Sequence, residues 1–178
     1  MRHAEFRHHR LVQVYDAELL PERAFDVAVL TSHVAQFFVD DAEWARTLAD
    51  LARALVPGGR LVFDARDPAD RRWERWNPVD SHRLVTLPDG GEVRAWTEVT
   101  GVRDGVVDFT HHYHFDDGEE ILSSATLRFR TEVELRTSLT RAGFIVDHVH
   151  GGWHGEPVGH GDGEFVVLAR VGTLAPVF

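Results

Sequence analysis

The chain has 178 residues, 43% of them hydrophobic, which is enough apolar material to bury one core and reads as a single domain over 1–178. Its 29 acidic against 19 basic residues leave a formal charge of −10, so phosphate backbones are repelled, nucleic acid is excluded as the default substrate, and a small-molecule acceptor is expected. There is no cysteine, hence no disulfide or thiolate chemistry, in keeping with a cytoplasmic protein; an apolar run of ~18 residues is missing too, so no membrane span is expected.

Met1–Arg10 is charged, carries His3, His8 and His9, and reads as a surface start without the apolar core of a signal peptide. LVQVY (Leu11–Tyr15) reads as a strand, and FDVAVL (Phe25–Leu30) as a buried one. Asp40, Asp41 and Glu43 supply an N-cap and first-turn acids. The helix they open, Trp44–Gly59, spaces Leu48, Leu51, Ala52 and Leu55 at helical intervals until Pro57 and two glycines end it. RLVFDAR (Arg60–Arg66) is the next strand. Strand, helix and strand make a right-handed βαβ unit with parallel strands, and a sheet covered on both faces is expected. Arg66-Asp67-Pro68 and RRWERWNP follow, placing a charged cluster at a strand's carboxyl end. Trp73 and Trp76, three apart, share a face there and either pack the segment on the sheet or cover an acceptor.

From His82 to Arg130 the pattern changes to strands and tight turns. Pro88-Asp89-Gly90-Gly91, Asp104-Gly105 and Asp116-Asp117-Gly118 separate Arg83–Leu87, Glu92–Val99, Val106–Phe115 and Ile121–Arg130, an antiparallel meander inserted into the parallel sheet. On its third strand His112 and His114 share one face while His111 and Tyr113 share the other. Such a pair chelates zinc, nickel or iron when further ligands converge, with His148, His150, His154 and His160 as candidates. No carboxylate is patterned with them, and no metal is expected. Thr131–Ala142 is a helix with Thr131 as N-cap and Gly143 as its stop. Phe144–Val149 and EFVVLAR (Glu164–Arg170) are strands flanking a Gly/His-rich loop that carries Trp153.

The run FDVAVLTSHVAQFFVDDAEWARTLADLARALVPGGRLVFDARDP, with its L-x-P-G-G turn, and the later LTRAGF (Leu139–Phe144) resemble the class I S-adenosylmethionine-dependent methyltransferases. The resemblance implies an α/β fold: a partial Rossmann-like methyltransferase sheet from 11–66 and 131–170, with an antiparallel β meander inserted at 82–130. It also implies a last strand running antiparallel between its neighbours. The implied cofactor is S-adenosylmethionine, with Asp16 and Ala17 near the adenine and Thr31, Ser32 and His33 beside the sulfonium. His33 then either serves as the general base or orients its loop. Arg66, Trp73, Trp76 and Trp153 fall on the acceptor side.

The family normally opens with a strand, a G-x-G turn and a helix, because backbone must approach the cofactor closely. No G-x-G follows a strand near the start of this chain, and the ~24 residues ahead of Phe25 are too few for two further strand-helix units. Two readings stay open: a truncated or split methyltransferase of which this is the C-terminal part, and a non-catalytic remnant serving as an interaction or regulatory module. Either leaves the edge of Phe25–Leu30 bare, so a homodimer through that edge, or Leu11–Tyr15 moved into the slot, is expected.

Overall fold

Two β-branched runs separated by a helix pair in parallel, because the crossover must return over the sheet before the second strand begins. In a computed structural model describing residues 17–88 and 90–172, β1 (Phe25–Leu30) runs parallel to β2 (Leu55–Arg66), with Val27 to Leu30 registered against Arg60 to Phe63. The expected strand Leu11–Tyr15, and Asp16 after it, lie outside the described residues. Helix α1 (Asp41–Ala54) opens on Asp40, whose carboxylate accepts from the Glu43 N–H at 2.8 Å.

The helix ends earlier than its apolar spacing predicts. Leu55 is already extended (φ −79°, ψ 146°), and the LVPGG segment belongs to β2 rather than to α1. Pro57 keeps the helix from resuming, since it pushes Val56 into extended backbone and has no N–H to give. Gly59 is required on the way, because a Cβ there would sit 2.8 Å from the Val56 carbonyl oxygen.

The meander comes next: β3 (Arg83–Thr86), β4 (Glu92–Arg103), β5 (Val106–Phe115) and β6 (Glu120–Arg128) form a separate antiparallel sheet in that order. Helix α2 (Glu132–Arg141), β7 (Phe144–His150) and β8 (Glu164–Val171) then complete the first sheet, ordered β1-β2-β8-β7 with β8 antiparallel to both neighbours. No helix of the described residues is long and apolar enough to cross a membrane.

Both helices pack on one face, where Leu48, Leu51, Leu135 and Leu139 meet Leu61, Phe63, Phe165, Val167 and Ala169. The expectation of a sheet covered on both faces is met only in part. On the other face Val166 and Asp64 are buried, at 3% and 4%, while Val27, Val29 and Ile145 on the flanking strands remain 45%, 55% and 45% exposed. The meander has its own small core of Val107, Phe109, Leu127 and Phe129, capped by Trp73 and Trp76.

Thr131 and Glu134 form a capping box: the Thr131 hydroxyl accepts from the Glu134 N–H, and the Glu134 carboxylate accepts from the Thr131 N–H at 2.7 Å. Partial burial works against the Glu134 charge, yet the Thr131 hydrogen bonds and nearby Arg128 hold its carboxyl below the usual value. A group lowered on folding adds stability above its unfolded pKa and loses it as pH falls through the folded one. Thr131→Ala is expected to cost about 1 kcal/mol. Glu134→Gln is expected to destabilise near neutral pH, and the difference from the parent should shrink as pH falls below the ordinary glutamate value of about 4.3, as read by urea unfolding across that range.

Candidate functional site

Ligands of open α/β sheets bind beyond the carboxyl ends of the parallel strands, and here that end gathers four chain segments. β1 delivers the loop Thr31-Ser32-His33, and β2 ends on Asp64, Ala65 and Arg66. The antiparallel register Arg66 to Glu164 brings the first residue of β8 to the same level. Ser32 (φ 61°) and His33 (φ 60°, ψ 25°) are consecutive left-handed residues without glycine, a costly backbone that gathers at functional turns. What holds it is Asp64: the His33 N–H donates to Asp64 Oδ1 at 3.2 Å.

The imidazole is set by carboxylates. His33 Nε2 lies 2.8 Å from Glu164 Oε2 and 3.5 Å from Asp64 Oδ2, and both acids are buried, at 8% and 4% exposure. A carboxylate accepts only, so Nε2 carries the proton and Nδ1 is left as the basic nitrogen. Arg72 Nη1 donates to Glu164 Oε1 at 3.1 Å, and its Nη2 donates to the Asp162 carbonyl. Arg66 Nη1 donates to Gln36 Oε1 at 3.0 Å, and its guanidinium lies 5.5 Å from the Trp76 ring. Burial lowers the Arg66 pKa; Glu164 opposes that shift, Arg72 adds to it, and Asp64 opposes it. Gln36 Nε2 and Arg66 Nε are buried donors without a hydrogen bond. Gly163, which precedes Glu164, accepts from the Asp67 N–H at 2.9 Å, and a Cβ on it would meet Asp70 Cγ at 2.5 Å.

His33, Asp64 and Glu164 present ligand atoms within 4.8 Å of one another. The His33 proton and the Arg72 guanidinium already engage these carboxylates, so the cluster is a hydrogen-bonded charge network. Chemically it offers an imidazole oriented by two carboxylates, and two unpaired donors suited to an oxygen-bearing ligand.

Of the residues the sequence nominates, Thr31, Ser32, His33 and Arg66 lie at this end of the sheet. Trp76 stands between Arg66 and the meander, 5.2 Å from Phe109, and Trp73 packs edge-on against Phe129 at 4.6 Å. Trp153 lies on the loop between β7 and β8 and is 56% exposed. Ala17 opens a short 3-10 turn, Ala17–Leu19, whose carbonyls are held by Arg53 in the last turn of α1. Asp64 and Glu164 are the members that sequence reasoning missed, whereas Gln36 closes the loop after β1 and Arg72 belongs to the charged RRWERWNP cluster, both of which it placed at this end. The one available signal was a carboxylate within or opening an otherwise apolar strand, FDAR and EFVVLAR, since acids are rarely buried without a partner.

No family model matches the chain, and no curated protein matches it either. Solved structures do. A S-adenosylmethionine-dependent methyltransferase from Clostridium acetobutylicum superposes with a TM-score of 0.69 at 16% identity, over 92% of this chain and 65% of its own. The amino pentose methyltransferase CalS10 from Micromonospora echinaspora, solved with S-adenosylmethionine bound, gives 0.61 at 19% identity over 87% and 62%. The sugar N-methyltransferase KedS8 from a Streptoalloteichus species gives 0.61 at 23% identity over 85% and 57%. The chain thus has the class I methyltransferase fold, and it spans less than two thirds of the length of each of these proteins.

Proposed function

We propose that this chain is a S-adenosylmethionine-dependent methyltransferase, or the C-terminal part of one, that acts on a small-molecule acceptor. The observation that carries the proposal is the charge network around His33 at the carboxyl end of the sheet, in a fold shared with methyltransferases of sugars and amino sugars. The unpaired Gln36 Nε2 and Arg66 Nε fit a ligand rich in oxygen acceptors, as an acceptor sugar or the cofactor's carboxylate would be.

S-adenosylmethionine, when bound, would supply an electrophilic methyl group whose bond to sulfur breaks as the bond to an acceptor oxygen or nitrogen forms, with S-adenosylhomocysteine as the leaving thioether. Residues of this chain orient that nucleophile and take its proton. His33 Nδ1 is the accepting atom, while Glu164 and Asp64 hold the ring and stabilise the imidazolium that forms. Arg66 and Trp76 wall the acceptor side. Asp16, Ala17, Thr31 and Ser32 belong to the cofactor side, and Trp73 and Trp153 to the outer rim of the acceptor side. Positioning and exclusion of water supply most of the rate.

A second reading is favoured by a different observation. The exposed Val27, Val29 and Ile145, and a β1 edge that pairs with no other strand among the described residues, suit a non-catalytic interaction module, whose partner is a second copy pairing at that edge. Calorimetric titration with S-adenosylhomocysteine separates the two. Saturable binding by the chain is the expected result; no binding at about 1 mM, an affinity worth only about 4 kcal/mol, favours the module.

A further inference from the structure

A second cluster of titratable groups lies away from the candidate site, on the face of the meander opposite Trp73 and Trp76. Strand β5 brings His112 and His114 to this face, β4 brings Trp96 and Glu98, and β6 brings Glu120, the cross-strand neighbour of His114. Trp96 stacks flat on His112 at 4.7 Å with an 8° interplanar angle, and lies 4.7 Å from His114, so one indole fixes both imidazoles. The later histidines nominated as further ligands do not join them: His148 and His150 stack on each other at 5.3 Å on β7, in the other sheet.

His112 stands between two carboxylates. Its Nε2 lies 3.2 Å from Glu98 Oε2. Its Nδ1 faces Glu120 Oε1 at 3.6 Å, and His114 Nε2 approaches the same oxygen at 2.8 Å. Both nitrogens are shielded from water and neither makes a hydrogen bond, so the short contact lacks hydrogen-bond alignment. Two imidazole nitrogens thus converge on one carboxylate oxygen without hydrogen bonds, as ligand atoms grouped around a cation do.

We propose that His112 Nδ1, His114 Nε2 and Glu120 Oε1 form a binding site for a borderline divalent metal, zinc or nickel, with Glu98 positioning His112. All three ligand atoms lie within 4.8 Å of one another. Ligands about 2.0–2.1 Å from a tetrahedral zinc are about 3.3 Å apart, a spacing that falls between the two measured separations of 2.8 and 3.6 Å. Two imidazoles with one carboxylate suit zinc, nickel or iron rather than magnesium or calcium. Glu98 supplies the outer carboxylate that a ligating histidine usually has on its other nitrogen. The fourth position opens to solvent beside Glu120, whose side chain is 46% exposed. The ion would tie β5 to β6 on the side of the meander that Trp73 and Trp76 do not cover.

The test uses the full chain without an affinity tag, titrated with Zn²⁺ by calorimetry and with Co²⁺ by visible absorption. One equivalent should bind, with the intense d–d bands of a four-coordinate cobalt site. His112→Ala with His114→Ala should abolish that band. Glu98→Gln, an exposed substitution that touches no metal, should weaken binding about 10- to 100-fold. Glu120→Gln, also exposed, provides a ligand variant should the histidine pair be needed for folding, and it should lose the band as well. An unchanged affinity in Glu120→Gln and in the histidine double variant would put the metal on other histidines, such as His3, His8 and His9, and overturn the proposal. So would the lack of any saturable binding at micromolar metal.

Discussion

Replacing Trp44 by alanine is expected to destabilise the chain by about 3–5 kcal/mol, the range for removing a fully buried large aromatic. Trp44 is 1% exposed and joins three parts of the fold. Its ring meets Phe38 at 5.5 Å and, edge-on, Phe63 of β2 at 5.7 Å, so it docks α1 on the sheet. Its Nε1–H donates to Ser138 Oγ at 3.0 Å, which joins α1 to α2. The Arg130 guanidinium lies over the ring at 5.3 Å while pairing with Asp41 at 2.7 Å. The alanine variant thus leaves a cavity, a Ser138 hydroxyl that keeps only its bond to the Leu135 carbonyl, and a cation that is 4% exposed without its aromatic face. Trp44→Phe keeps most of the volume and loses chiefly the hydrogen bond, at about 1–2 kcal/mol. Urea unfolding of the two variants checks the order. A loss below about 1 kcal/mol in Trp44→Ala would mean that the face can collapse around the gap.

Local rules carried the reading of this chain a long way because most of its elements are locally encoded. The turn at Leu87–Gly91 closes with the Leu87 N–H donating to the Gly91 carbonyl, and Asp104 (φ 47°) with Gly105 (φ 76°) forms the tight reversal between β4 and β5 that an Asp-Gly pair favours. The placement of β8 between β2 and β7 came from the family resemblance; nothing local in EFVVLAR fixes its neighbours. The end of α1 was misplaced because Leu55 continues the helical spacing in register with Leu48 and Leu51, while Pro57 two residues later keeps the helix from resuming.

The sites were less legible, for a different reason. Asp64 and Glu164 are 100 residues apart in the chain and become neighbours only through the β2–β8 register. Glu120 joins His114 only through β5–β6 pairing, so a scan for carboxylates patterned with the histidines passes over it. Long-range strand pairing, rather than propensity, decides which charges meet.

Glu164→Gln is the second substitution expected to act strongly, at about 2–3 kcal/mol. Glu164 accepts from Arg72 at 3.1 Å and from His33 at 2.8 Å, so the change removes two charge-assisted contacts from a carboxylate that is 8% exposed. Breaking a buried pair from one side costs about 3–5 kcal/mol where both charges are fully enclosed. Here Arg72 and His33 keep 29% and 22% of their side-chain surface, so solvent recovers part of that loss. The variant Arg72→Met isolates the shared term. If the pair holds Glu164 in place, the double variant should be less destabilised than the sum of the singles by about 1–2 kcal/mol, because residues in one ion-pair network couple to that extent. Additive effects within about 0.3 kcal/mol would show that Glu164 and Arg72 act separately. In that case the His33 loop, with its two left-handed residues, must be held by Asp64 alone, and Asp64→Asn should then be the substitution that releases it.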